Sequence, residues 1–349
     1  MLTSVVPSSG LWHCIDSSHD LQNKNESVWQ NFTIDCSSAN TYSSQCDCLT
    51  LNEIAMISSD NISRLNIMIK KDQQIGKVDF EYKEELIISG ESGTIISCVG
   101  GNSGLAFREI DRLTITNVTV TNCSTTNSSE SIYYYAVCMV WCGDIIFTSV
   151  NIIGNNATGV SILEHQGGTI NFTNCNFIEN SIANVEENKR VRGGGGIYIG
   201  NFDIDPSVPT AYYFVNCLFA RNTARTRFYH FVFTDELGQT ISGFGRGGGV
   251  FLAFEHPLTD IYAAFHNCTL LENTGFLGGG LSVEIEGDDE IEVRNISVII
   301  EDSLFEANGC NPDTPTGSGG GAHLNFNTVN KQRLSLSRFH LVNVNFSNN

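Results

Sequence analysis

The chain has 349 residues, of which 41% are hydrophobic, and its formal net charge is −19. This hydrophobic content supports a continuous core and excludes an intrinsically disordered chain. The negative charge argues against nucleic acid and anionic membrane surfaces as partners, because both would repel it.

The first 48 residues are predicted to form a cysteine-rich cap region. Four of the twelve cysteines lie there and are the disulfide candidates: Cys14, Cys36, Cys46 and Cys48. This cysteine content favours an oxidising compartment. The start at Met1 lacks the basic and apolar segments of a secretory signal. No apolar run reaches the length of about 18 residues that predicts a transmembrane helix.

Eleven Asn-x-Ser/Thr sequons also favour an extracellular or cell-surface protein, although a chain rich in Asn, Ser and Thr makes some sequons by chance. The glycosylation candidates are Asn25, Asn31, Asn61, Asn117, Asn122, Asn127, Asn156, Asn171, Asn267, Asn295 and Asn345.

A short amphipathic helix is predicted over residues 50–58. Thr50 and Glu53 have the spacing of a capping box, and Leu51, Ile54 and Ala55 share one helical face. We expect this helix to cover the open end of the structure that follows, where core and strand edges would otherwise be exposed.

A pattern of eleven residues occurs five times in the second half of the chain, beginning at residues 170, 212, 263, 298 and 339. In the first copy, apolar residues alternate up to Asn174 and then continue in the opposite parity with Cys175 and Phe177. Alternation predicts a strand with one buried face. The parity change predicts a bend at Asn174, because asparagine tolerates left-handed backbone. The closing asparagine, Asn180 in this copy, marks the next corner and can stack as a hydrogen-bonded ladder.

A second element, two glycines followed by an apolar strand, precedes four of these copies, as in Gly195-Gly196-Ile197. The shortest repeat, residues 159–180, has room for three short strands and three corners. Residues 49–349 are therefore predicted to form an all-β fold, a right-handed parallel β-helix with three strands per coil and a short N-terminal capping helix. Because the last repeat stops at a corner, we expect the helix to continue beyond Asn349 or to be truncated there.

The paired glycines and the Phe-x-x-Asn spacing resemble the repeats of chlamydial polymorphic membrane proteins and related β-helix surface proteins. Extracellular β-helix proteins of simple animals are similar as well, including a cysteine-rich stretch before a helix start, here Cys46-Asp-Cys48-Leu-Thr-Leu. The resemblance covers about residues 46–349 and implies the β-helix fold. It does not select among the lyases, hydrolases and adhesins built on that fold.

Two aromatic clusters are candidate ligand-binding sites, because exposed rings stack on sugars and anchor protein interfaces. They are Tyr133, Tyr134 and Tyr135, and Arg227, Phe228, Tyr229 and His230. The alternative for each cluster is that its rings simply cover the flank of the solenoid.

The acidic residues Asp288, Asp289 and Glu290 are candidate calcium ligands or paired carboxylates of a glycosidase. The alternative is a solvated turn, and no cofactor other than calcium is predicted. Cys175 shares its repeat position with Cys217 and Cys268, and we expect this inward file to consist of reduced, packed thiols.

The leading functional prediction is a non-catalytic extracellular or cell-surface scaffold for adhesion or for carbohydrate or protein recognition. The alternatives are a polysaccharide lyase or glycoside hydrolase, and a structural spacer. Paired carboxylates with a cation on neighbouring coils would favour the enzyme. Aromatic residues ordered on one exposed surface would favour the binding scaffold.

Overall fold

The computed structural model describes residues 3–8, 11–16, 29–35, 50–58, 62–100, 104–124, 135–182, 194–201, 210–224, 232–234, 240–242, 246–255, 260–287, 296–310, 319–328 and 338–349. Within these residues the fold is all-β with one helix. The chain starts with β1 (Thr3–Ser8) and β2 (Leu11–Asp16), which pair antiparallel. Strand β3 (Gln30–Ile34) follows and pairs in parallel with a later strand.

Helix α1 (Leu51–Ile57) confirms the predicted amphipathic helix. The backbone N–H of Glu53 donates to the Thr50 hydroxyl, and the Glu53 carboxylate accepts from the backbone N–H of Thr50. Leu51, Ile54 and Ala55 are buried against the first coils, as their shared face predicts.

The remaining strands follow in chain order. The first coils contain β4 (Arg64–Ile69), β5 (Gln73–Ile75), β6 (Lys77–Cys98), β7 (Gly104–Thr121), β8 (Tyr135–Val140), β9 (Asp144–Thr148) and β10 (Asn151–Ile153). The next coils contain β11 (Thr158–Leu163), β12 (Gly168–Thr173), β13 (Asn176–Ile178), β14 (Ser181–Ile182), β15 (Ile197–Asn201), β16 (Thr210–Val215), β17 (Leu218–Ala220) and β18 (Thr223–Ala224). Strands β19 (Val232–Thr234) and β20 (Thr240–Ser242) form a separate antiparallel pair. The last coils contain β21 (Val250–Glu255), β22 (Ile261–His266), β23 (Thr269–Leu271), β24 (Thr274–Gly275), β25 (Leu281–Gly287), β26 (Ile296–Glu301), β27 (Leu304–Glu306), β28 (Gly309–Cys310), β29 (Ala322–Thr328), β30 (Arg338–Val342) and β31 (Asn345–Ser347).

Strands from successive coils stack in parallel as three files. The first file runs through the start of β6 and β7 to β8, β11, β15, β21, β25 and β29. The middle file contains β3, β4, the centres of β6 and β7, β9, β12, β16, β22, β26 and β30. The third file contains β5, the ends of β6 and β7, β10, β13, β17, β23, β27 and β31. The two-residue strands β14, β18, β24 and β28 form a fourth, short file.

The bends between files use left-handed backbone, as the parity change predicts. Asn174, Asn216 and Asn267 have φ between 51° and 54°, and Asp302 and Asn343 continue the series. Their side chains are exposed. We call Asn174, Asn216 and Asn267 the outward asparagine series.

Asparagines stack at the corner after the third file, and all of them except the exposed Asn349 are buried. The amide Nδ2 of each donates to Oδ1 of the next, at 2.7–3.0 Å. This inward asparagine series comprises Asn155, Asn180, Asn222, Asn273, Asn308 and Asn349. The hydrogen-bonded ladder of asparagines predicted for this corner is therefore confirmed. At the other end, the backbone N–H of Cys123 donates to Asn155 Oδ1, and Cys123 is bonded to Cys98.

Aromatic rings stack along the core, as in Phe172, Phe214 and Phe265, whose successive centroids lie 5.3 and 4.4 Å apart. Cys175 and Cys217 are buried free thiols, as is Cys268, which confirms the reduced file. The glycine pairs let adjacent coils approach closely. A Cβ on Gly196 would lie 2.5 Å from the carbonyl oxygen of Gly249.

Candidate functional site

An aromatic and acidic surface lies on the outward face of the middle file. Because inward and outward side chains alternate, the buried Tyr212 and Phe214 place Tyr213 outside on β16. The same argument places Tyr262 and His266 outside on β22. We call Tyr213, Tyr262, His266, Glu301 and Asp302 the flank patch.

The two tyrosines of the flank patch form a pair across neighbouring coils. Their ring centroids lie 5.5 Å apart and the ring planes are inclined by 48°. Tyr213 is opposite Ala264 and Tyr262 is opposite Ala211, so a small residue lies beside each ring. Both rings are half-buried, and each therefore keeps a surface open to solvent.

The other end of the flank patch brings an imidazole close to two carboxylates. His266 Nδ1 lies 3.7 Å from Glu301 Oε2 and 3.9 Å from Asp302 Oδ2, and all three side chains are about half exposed. Partial desolvation raises the pKa of the Tyr262 hydroxyl, with smaller contributions from Tyr213 and Glu301. The tyrosine hydroxyl therefore stays protonated at neutral pH and can donate a hydrogen bond.

The arrangement suits binding by stacking and hydrogen bonding. Rings that are apolar on their faces and polar at their hydroxyls contact amphipathic ligands at little cost in side-chain entropy. Glu301 and Asp302 supply acceptors at the other end of the flank patch, next to His266. Among the described residues, no group of three or more His, Cys, Asp and Glu side chains is arranged to hold a metal ion.

A second charged cluster lies on the first file. Arg108 on β7 contacts the carboxylates of Asp79 and Glu81 on β6, at 3.3 and 3.2 Å. Burial raises the pKa of Asp79, against the opposing effect of Arg108. Further along this file, Arg246 pairs with the buried carboxylate of Glu284.

Most of the ligand-binding residues predicted from the sequence lie outside the described residues. These are Tyr133, Tyr134, Arg227, Phe228, Tyr229 and His230, and the predicted metal ligands Asp288, Asp289 and Glu290 lie outside as well. Tyr135 is described. It is half-buried at the start of β8 and packs against the cluster of Tyr198, Phe251 and Ala253.

The structure describes only some of the predicted disulfide cysteines and glycosylation asparagines. Cys36, Cys46 and Cys48 lie outside the described residues, while the backbone of Cys14 pairs with Val5. Asn25, Asn61, Asn127 and Asn295 also lie outside. Asn171 is half-buried, and the exposed sequon asparagines are Asn31, Asn117, Asn122, Asn156, Asn267 and Asn345.

The flank patch was not among the sites predicted from the sequence, although a signal for it was present. Aligning the repeats puts Tyr213 and Tyr262 at outward positions of adjacent coils, between apolar inward residues. The contacts of His266 with Glu301 and Asp302 give no comparable signal, because the two carboxylates come from the following coil.

Comparison with family models, with curated proteins and with solved structures finds no match. In the described part of the chain, no helix has the length and apolar character needed to cross a membrane.

Proposed function

We propose that this chain is a right-handed parallel β-helix scaffold, extracellular or on a cell surface, that binds carbohydrate without catalysis. The observation that carries the proposal is the Tyr213–Tyr262 pair on an outward sheet face that also carries His266, Glu301 and Asp302.

The chemistry of the flank patch favours a sugar chain over a purely apolar or purely charged ligand. A pyranose ring has a C–H face that packs on an aromatic ring and hydroxyls that bond to carboxylates and imidazole. The net charge of −19 disfavours strongly anionic polysaccharides. The sheet face also continues along successive coils, which suits an extended ligand.

Separate arguments support the right-handed turn of the proposed β-helix and its extracellular or cell-surface location. Parallel strands of one sheet joined by crossover connections are right-handed in about 98% of cases. The Cys98–Cys123 disulfide and six exposed sequon asparagines agree with an oxidising, glycosylating compartment.

The proposal is tested by affinity electrophoresis through neutral polysaccharides, polyuronides and glycosaminoglycans, with calcium and with chelator. We expect a neutral polysaccharide to retard the chain. Because each stacked ring contributes about 1 kcal/mol, the double variant Tyr213→Ala/Tyr262→Ala should weaken retardation by roughly tenfold to a hundredfold.

The matched control is Tyr213→Phe/Tyr262→Phe, which keeps both rings and should keep most of the retardation. Unchanged retardation of the alanine variant would remove the flank patch as the binding site. Absence of retardation by every polysaccharide would favour a spacer or a scaffold for a protein partner.

A glycoside hydrolase or lyase is the second candidate, and the Asp79, Glu81 and Arg108 cluster favours it. Two carboxylates and a cation there come from neighbouring coils, and a carboxyl with a raised pKa can act as an acid. New reducing ends or unsaturated chain ends, lost in Asp79→Asn but not in Tyr213→Ala, would establish this function instead.

A further inference from the structure

A row of outward side chains lies at the corner between the first and middle files, on the coils that precede the flank patch. The register of the flanking strands puts Tyr82 level with Glu109, Glu109 level with Trp141, and Trp141 level with Glu164. We call these four residues the corner ridge. Aromatic and acidic residues thus alternate along it, with about 4.8 Å from one coil to the next.

The fold itself does not require aromatic residues at this corner. Tyr82 is 63% exposed and Trp141 is 44% exposed, so neither ring fills the core. All four residues of the corner ridge have left-handed backbone, with φ between 51° and 55°. Bulky side chains rarely adopt this conformation, and the corner between the middle and third files uses short polar residues for it, such as Asn174. The two rings are therefore available for contact with a partner.

The surroundings of the two rings carry an excess of negative charge. The four chain segments that pass this corner contain seven carboxylates and three cations. These segments are residues 81–85, 108–112, 140–144 and 163–166. The three cations are already engaged, because Arg108 and Arg112 contact carboxylates and the Lys83 ammonium donates to the carbonyl of Ser58.

Three carboxylates at the corner have no such cation. Within the part of the chain that the structure describes, Glu109, Asp111 and Glu164 form no ion pair with lysine or arginine. His165 does not neutralise Glu164 either, because burial lowers the pKa of this imidazole to about 4 and the ring is neutral at pH 7. A cationic ligand would therefore meet unpaired carboxylates and would not have to displace an existing ion pair.

The alternation of rings and carboxylates suits a cation at the level of Glu109. Tyr82 and Trp141 are two coils apart, so a cation at that level lies roughly 5 Å along the axis from each aromatic position. Attraction between a cation and an aromatic ring extends to about 6 Å from the ring centroid. A guanidinium suits this position better than an ammonium, because it is planar, stacks on rings and pairs with a carboxylate through two hydrogen bonds.

We propose that the corner ridge binds an arginine-rich segment of a protein partner, with one guanidinium between Tyr82 and Trp141 and against Glu109. A sugar chain is disfavoured there, because a carboxylate position separates the two rings and the surrounding charge is negative. The net charge of −19 also attracts a basic segment from a distance. The site is separate from the flank patch and does not depend on carbohydrate binding there.

Fluorescence anisotropy of a fluorescein-labelled tetra-arginine peptide measures binding to the full chain. The salt concentration is about 150 mM, at which charges in solvent are screened beyond about 8 Å. Labelled tetralysine has the same charge and labelled tetraglutamate the opposite charge. We expect saturable binding of tetra-arginine, weaker binding of tetralysine and no binding of tetraglutamate.

Trp141→Asn and Tyr82→Asn each remove one ring, while they keep the net charge and a residue that tolerates left-handed backbone. Each should weaken tetra-arginine binding by about twofold to thirtyfold, the range of one cation–π contact. Trp141→Phe keeps a ring and should keep most of the binding. Tyr213→Ala/Tyr262→Ala, in the flank patch, also keeps the net charge and should leave tetra-arginine binding unchanged. Circular dichroism compares the fold of each variant with that of the parent.

Glu109→Gln removes the carboxylate between the rings and should weaken tetra-arginine binding by about twofold to fivefold. Glu272→Gln is its matched control. Glu272 is exposed at another corner, has φ of 53°, and its substitution changes the net charge by the same amount. We expect this control to bind tetra-arginine as the parent does.

Absence of saturable tetra-arginine binding would overturn the proposal, as would equal affinity for tetralysine. Equal weakening by Glu109→Gln and Glu272→Gln would reduce the interaction to overall charge and overturn it too. Undiminished peptide binding by Trp141→Asn and Tyr82→Asn would exclude the rings. If these two variants instead lose retardation by a neutral polysaccharide, the corner ridge is a sugar site and the proposal is wrong.

Discussion

Asparagine occupies two corners of the same coil for different physical reasons. In one coil, Asn216 lies at the corner between β16 and β17, and Asn222 lies at the next corner, after β17. Asn216 is exposed and has φ of 54°. Its side-chain amide donates to Asn174 Oδ1 at 3.1 Å and accepts from Asn267 Nδ2 at 2.9 Å, both on the exposed surface, where water can replace these partners. What this corner requires of the residue is left-handed backbone.

Asn222 is fully buried and has no positive φ. Its Oδ1 accepts from the backbone and side-chain nitrogens of Asn180, and its Nδ2 donates to Phe177 and Asn273. This corner therefore requires the amide group. Residue type alone does not distinguish the two roles, whereas burial and φ do.

The largest effect is expected from removing an inward amide. Asn222→Leu removes the acceptor of the backbone N–H and of one side-chain N–H of Asn180, and it removes a donor to the carbonyl of Phe177. Oδ1 of Asn273 keeps the backbone N–H of residue 222. At about 1–3 kcal/mol for each of these three groups, the free energy of unfolding should fall by roughly 3–9 kcal/mol. Urea unfolding followed by circular dichroism measures the loss. A loss below 1 kcal/mol would show that the inward series does not join the coils.

The disulfide at the end of the inward series should have the next largest effect. Cys98 and Cys123 close a loop with a sequence separation of 25. Opening such a loop in Cys98→Ser/Cys123→Ser should lower the free energy of unfolding by about 3 kcal/mol. The parent protein, unfolded with and without reductant, is the control, and its reduced form should match the variant.

A buried histidine at another inward corner should make stability depend on pH. Burial lowers the pKa of His165 to about 4. Its Nε2 contacts the carbonyl of Gly143, and its Nδ1 has no hydrogen-bond partner to receive an added proton. Between about pH 6.5 and 4 the unfolded chain binds the extra proton, so stability is lost as pH falls, by about 3 kcal/mol. An NMR titration of the ring should give a midpoint near 4, and a midpoint near 6.5 would contradict this account.

The smallest effect is expected in the outward series. Asn216→Ala places a Cβ residue in left-handed backbone and should cost about 1 kcal/mol, whereas Asn216→Gly should change stability by less than about 0.5 kcal/mol. Asn222→Gly is the matched comparison and should be severely destabilising. Equal losses in the two glycine variants would remove the distinction between the corners.

The repeated coils can be predicted from the sequence, because the alternation of apolar residues and its change of parity at a corner involve only residues that are close in the chain. Asn174 and Asn180 are placed correctly by the pattern, and the Thr50–Glu53 capping box predicts α1. The earlier coils are harder to predict, because left-handed corners there carry Tyr82, Glu109 and Trp141.

Other features could not be predicted, because they depend on contacts between residues of different coils and the sequence of a single strand carries no sign of them. The fourth file consists of two-residue strands such as β14, which are too short to show a period. The Cys98–Cys123 bond joins adjacent coils with no spacing signature. The flank patch and the corner ridge depend on which outward side chains of different coils meet.

Side-chain amide hydrogen exchange tests the distinction between the two asparagine series most directly, without any substitution. The buried amides of Asn180, Asn222 and Asn273 should exchange far more slowly than the exposed amides of Asn174, Asn216 and Asn267. Equal, fast exchange in both series would contradict the claim that the inward asparagines bind the coils together.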